Sequence, residues 1–141
     1  MINAPEITNH FSARVGCHYT WLEGGIHQFV FETGSRQTID EWTNYADALI
    51  VDASPDNIYL QLIDTAGVGD IPVPYGYEKV KQLSAVHPNI IYSRTAFIHA
   101  HSSLVFLVNT YMKMLRLPLK ARFFNADQRQ AAIDWLLEGT P

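Results

Sequence analysis

Asp64, Thr65, His99 and His101 are the residues whose types and positions most invite chemistry. Asp64 ends an apolar run at 58–63 (IYLQLI), and a loop rich in Gly and Pro, TAGVGDIPVP, comes directly after it. His99 ends a second run, 94–99 (RTAFIH), with His101 just beyond. If the two runs are neighbouring parallel strands, these side chains gather at the carboxyl edge of one sheet. Open α/β sheets form their clefts there. One carboxylate with two imidazoles can hold a metal or share a proton. The simpler role is local: Asp accepts hydrogen bonds from the amides of its own turn. His-x-His side chains share a face only while a strand continues. The favoured expectation is a polar loop site at Asp64, Thr65, Gly67, His99 and His101, with no catalytic residue, metal or cofactor assigned.

Other signatures narrow the field. Asp64-Thr65-Ala66-Gly67 matches the phosphate-sensing string of small GTPases. A nucleotide site of that kind needs a Gly-rich loop ending in Lys and Ser or Thr. The chain has no Gly-Lys pair and no Asn-Lys-x-Asp string, so the match is set aside. There is no Gly-x-Ser-x-Gly elbow to support a hydrolase. His10, His18, His27 and His87 lack ligand spacing, and His87-Pro88 reads as a helix-ending turn. Cys17 is the sole cysteine, which excludes an internal disulfide and suits a buried structural thiol. Trp21, Trp42 and Trp135 sit at core-compatible spacings.

The chain has 141 residues, of which 48% are hydrophobic, enough for one domain with a single core. Fourteen acidic residues against ten scattered basic ones give a formal charge of −4. Nucleic-acid binding needs clustered Lys and Arg, so that class is not expected. The start, MINAPEITNHFSARVGCHYT, lacks a basic segment leading into an apolar one, so no signal peptide is expected. The longest apolar segment, 104–117, is interrupted by Asn109, Thr110, Lys113 and Arg116. It is also shorter than the ~20 residues of a membrane span. A cytoplasmic location is the expectation.

The elements that would position the loop site emerge from periodicity. CHYTWLE and IHQFVFE flank Gly24-Gly25 and read as a hairpin. On the return strand, His27, Phe29 and Phe31 share one face, and Ile26, Gln28 and Val30 the other. Ser35 caps a helix in which Ile39, Trp42, Ala46, Leu49 and Ile50 recur on one side. Ser54-Pro55-Asp56 breaks it, and the strand at 58–63 comes next. Tyr77, Val80, Leu83 and Val86 mark a second helix ending before Pro88; the strand 94–99 precedes a third helix over 102–117. KARFF is the last strand. Asn125 with Gln128 resembles a capping box for a fourth helix, with Ala132, Ile133, Leu136 and Leu137 inward and Gly139 as its stop. Residues 1–10 read as loosely ordered. The order ββαβαβαβα predicts one α/β domain over 1–141, ordered from about 17 to 139. Its five-stranded sheet should be mostly parallel, with four helices and an antiparallel strand at an edge.

The hairpin YTWLEGGIHQFVFE, the strand ending IYLQLID and the close ARFFNADQRQAAIDWLLEG carry a likeness. On these residues the chain resembles the STAS-like family, the fold of anti-sigma-factor antagonists, and particularly its small bacterial members of unassigned role. The likeness spans roughly 17–139. It implies a non-enzymatic protein-binding regulatory module whose partner is a regulatory kinase or an anti-sigma-like factor. In that family a Ser at the start of the second helix is phosphorylated to break the complex, as charge added at an interface would. Asp64 matches the strand-ending Asp, and Gly67-Val68 match the loop residues beyond it, but Pro72-Val73-Pro74 occupy the phosphoacceptor string. The usual switch is therefore not expected.

SLVFLVNTYMKMLRL, the third helix, shows little polar surface on any side. Such a helix is buried in its domain or covered by something else. The expectation is a protein interface, a homodimer with Val105, Phe106 and Met112 as candidates. The alternative is a small apolar-ligand or lipid carrier of related fold, its cavity lined by Phe106, Tyr111, Met112 and Met114.

Overall fold

A computed structural model describes residues 16–116 and 119–138. The expectations for residues 1–10, for 117 and for Gly139 lie outside them. The chain forms α/β architecture with five strands, β1 (Cys17–Leu22), β2 (Ile26–Phe31), β3 (Tyr59–Asp64), β4 (Ser93–His99) and β5 (Lys120–Asn125). Four α-helices accompany them: α1 (Arg36–Leu49), α2 (Val73–Val86), α3 (Ser102–Leu115) and α4 (Arg129–Glu138). Short 3₁₀ turns at Ile50–Asp52 and Pro88–Tyr92 end the α1 and α2 segments.

The strand order is β1-β2-β3-β4-β5, with β1 antiparallel at one edge and all other pairs parallel. Gly24 and Gly25 make the hairpin turn with φ of 90° and 85°, a region that costs other residues strain. Because each crossover steps to the next strand in one direction and is right-handed, α1, α2 and α3 share one face of the sheet. The opposite face is covered by α4.

The two faces alternate by residue. Ile26, Leu60, Leu62, Ala96, Ile98 and Phe124 pack with Ala132 and Leu136 of α4 in a closed cluster. Ile133 and Leu137 pack at its margin. On the other face, Cys17, Phe29, Phe31 and Ile63 pack against Ile39, Trp42 and Tyr45 of α1. Ser35 caps α1, accepting a hydrogen bond from the Thr38 amide at 3.2 Å. Glu41, though buried, is fully engaged: Oε1 accepts from the amides of Gly16 and Cys17 at 3.2 and 2.9 Å, and Oε2 from Gln37. Burial and the Glu41 charge push the Cys17 thiol well up, so it is an inert part of the core. Val86, expected inward, is exposed in the last turn of α2, whose buried residues are Val73 and Leu83.

A group of aromatic rings fills the space beside β1. The Tyr19 hydroxyl and His27 Nδ1 share a hydrogen bond at 2.6 Å, while the His27 ring stacks between Tyr19 and Tyr59. Desolvation lowers the His27 pKa from 6.5 to about 4, so the imidazole is neutral at pH 7.

Candidate functional site

The loop after β3 is built as a turn. Asp64 Oδ1 accepts from the Ala66 amide at 3.0 Å, and its other oxygen lies 3.6 Å from Arg129 of α4. Thr65 is buried; its amide and hydroxyl both donate to the Ile98 carbonyl, each at 2.8 Å. The loop is tied to the β2–α1 connection at Gly34, where a Cβ would overlap the Asp70 carbonyl. Gly67 has open space around it and serves the turn without a close contact.

This arrangement separates the residues that the sequence grouped. Asp64 pairs in register with Ile98, so it shares the α4 face with that residue. His99, one residue further, points to the opposite face, and His101 is exposed immediately before α3. Asp64, His99 and His101 therefore do not form one polar site. The period of two along a strand divides Asp64 from His99, and the chain has left β4 before His101. Among the described residues no group of three or more His, Cys, Asp or Glu is placed to hold a metal.

A different site stands on the face that carries α3. There the strands offer Gln61, Ile63, Ser93, Thr95, Phe97, His99 and Phe123 to a cavity of about 150 Å³, partly open to solvent. Its far wall is the inner side of α3, namely Leu104, Val105, Val108, Tyr111, Met112 and Leu115. Trp42 of α1 and Tyr77 and Val80 of α2 close the flank. The helix has no buried residue along its length. It meets α2 through the Tyr77–Tyr111 ring contact, with centroids 5.1 Å apart, but leaves the sheet beneath it incompletely covered.

The cavity wall is overwhelmingly apolar, and most of its polar groups are engaged. Gln61 accepts from Trp42 Nε1 at 3.2 Å and donates to the Thr95 hydroxyl at 2.9 Å. The Ser93 hydroxyl donates to the Ile90 carbonyl, and the Thr65 hydroxyl to Ile98 as above. His99 Nδ1 differs: it is buried and has no hydrogen-bond partner among the described residues.

The α3 residues named from sequence divide between its two sides. Val105, Tyr111 and Met112 face the cavity, whereas Phe106 and Met114 point outward with 72% and 55% exposure. Val105 and Met112 are thus removed from the proposed outer interface, and Phe106 and Met114 from the proposed cavity. An almost uniformly apolar helix gives no contrast from which to pick its inner side. The alternation Ser93, Thr95, Phe97, His99 along β4 was the available signal for the cavity floor.

No family model, curated protein or solved structure matches the chain.

Proposed function

We propose that this domain is a non-enzymatic carrier that binds a small apolar molecule between its sheet and α3. The observation supporting it is the apolar cavity itself. Its volume, about 150 Å³, is on the scale of apolar cavities that stay dry and take up benzene-sized molecules. An apolar guest gains packing against walls of that kind. Native mass spectrometry of gently purified protein tests the reading. The expected result is a non-covalent adduct that is lost in Val108→Trp, whose added ring fills the cavity. Absence of an adduct, together with failure of the protein to take up added octane, would contradict it.

A second reading is favoured by the other side of α3. Phe106, Leu107 and Met114 form an exposed apolar strip at helical spacing. It suits a protein-binding module that pairs with a second copy or a regulatory partner, the role the STAS-like resemblance implies. The start of α2 supports the unswitched form of that role: Pro72 and Pro74 flank buried Val73, and no Ser or Thr stands there. Thr65, the nearest Ser or Thr along the chain, is buried and bonded, which does not suit a kinase substrate. Among the described residues no helix is long and apolar enough to cross a membrane.

A further inference from the structure

Resting on the carrier reading, we infer that the cavity's guest carries an aromatic ring, and that Phe97, Phe123, Tyr77 and Tyr111 select it over a saturated molecule of the same size. Phe97 and Phe123 are register partners on β4 and β5, on the face that carries α3. Their rings lie nearly parallel, with centroids 5.1 Å apart and planes inclined by 14°. From the helix side, Tyr77 of α2 and Tyr111 of α3 bring a second pair of rings, tilted by 49°. All four side chains are only half-buried. At Phe97, β3 and β5 are paired on either side, so the surface it keeps lies toward the space under α3. Phe31, Trp42 and Tyr59 also border the cavity, but they are buried and already in contact with other rings.

Ring chemistry sets the preference. An aromatic ring has a negative face and a positive edge, so it gains from meeting other rings edge-to-face or offset, beyond the apolar area it buries. A saturated guest of equal size gains only the area. Met112, on the same wall as Tyr111, adds a polarisable thioether, which is also favourable beside a ring. The other α3 side chains at the cavity, Leu104, Val105, Val108 and Leu115, are aliphatic and take either class of guest alike. The wall groups Gln61, Ser93 and Thr65 bond within the protein, so none of them calls for a polar substituent on the guest.

The test compares toluene with methylcyclohexane, which share one carbon skeleton, by headspace depletion over the full chain. Each affinity is divided by the compound's partition from water into hexadecane, which removes the difference in hydrophobicity. On that scale toluene should bind the unaltered protein about two- to tenfold more tightly. Phe97→Leu and Tyr111→Leu should each reduce that preference, and the double variant should reduce it further. Tyr111 stands on α3, which buries no residue completely, so its substitution gives a result even if Phe97→Leu does not fold. Val108→Ala widens the same cavity without removing a ring and should leave the preference unchanged. Three results would each overturn the inference and leave the carrier reading intact. They are an equal or higher corrected affinity for methylcyclohexane, a preference that the ring substitutions do not diminish, and one that Val108→Ala lowers as much as they do. If neither compound binds the unaltered protein, the carrier reading falls and this inference with it.

Discussion

The helices α1 and α3 are each 14 residues long and lie on the same face of the same sheet, yet they are packed in opposite ways. RQTIDEWTNYADAL is the more polar sequence, and it buries Thr38, Ile39, Glu41, Trp42, Thr43, Tyr45 and Ala46. SSLVFLVNTYMKML is far more apolar and buries nothing completely. Hydrophobicity therefore does not decide which helix completes the core. Fit does: α1 sets Trp42 and Tyr45 against Phe31 and Phe29 with ring centroids 6.2 and 5.8 Å apart, whereas α3 stands over a cavity. Of these two arrangements, the first stabilises the fold and the second leaves a cavity beneath α3.

Substitutions on the two helices should expose this contrast most strongly. Tyr45→Ala removes a fully buried ring and should cost about 3–5 kcal/mol in urea unfolding. Val108→Ala merely widens an existing space and should cost under about 1 kcal/mol. Comparable losses at the two positions would mean that α3 is packed as firmly as α1.

The aromatic group beside α1 gives the next effect, through pH. His27 has a folded pKa of about 4 against 6.5 when unfolded. Between these values the unfolded chain binds the extra proton, so stability falls as pH drops from about 6.5 to 4 and the loss levels off below. The total change from this group is at most on the order of 3 kcal/mol. His27→Phe should flatten the stability profile across that window, as read by urea midpoints at stepped pH. An unchanged slope in the variant would place the titration elsewhere.

The smallest effect is expected on the outer side of α3. Phe106→Glu should change folding stability by no more than about 0.5 kcal/mol, since the ring is 72% exposed, and leave octane binding unaltered. If the outer strip pairs two copies, light scattering should show the variant as a monomer beside a dimeric parent. A variant that loses octane binding would show that Phe106 reaches the cavity after all.

The same contrast governs how much of the molecule is legible in its sequence. Along β2 and β3, bulky and polar residues alternate or run together within clear turn signals, and Ser35 caps α1, so these elements can be read directly. In α1 the inner residues Ile39, Trp42 and Ala46, with Ile50 just past its end, are recoverable from spacing alone, although the buried Glu41 breaks the rule that charge marks the outer side. The site is less so. Asp64 is recognisable as a turn former, because short carboxylates bond their own loop. That His99 faces away from it depends on strand register, which a single residue of slip reverses. The cavity is legible only in part: Tyr111 and Met112, expected to line an apolar-ligand cavity, do so, whereas Phe106 and Met114 face outward. α3 carries no polar stripe to say which side that space would lie on.

Hydrogen exchange of α1 and α3 in one sample, with and without saturating octane, distinguishes a firmly packed helix from one standing over a cavity. In the free protein, α3 amides should exchange much faster than those of α1. On adding octane, α3 should slow selectively while α1 stays as it was. Equal protection of the two helices, unaffected by octane, would contradict that distinction.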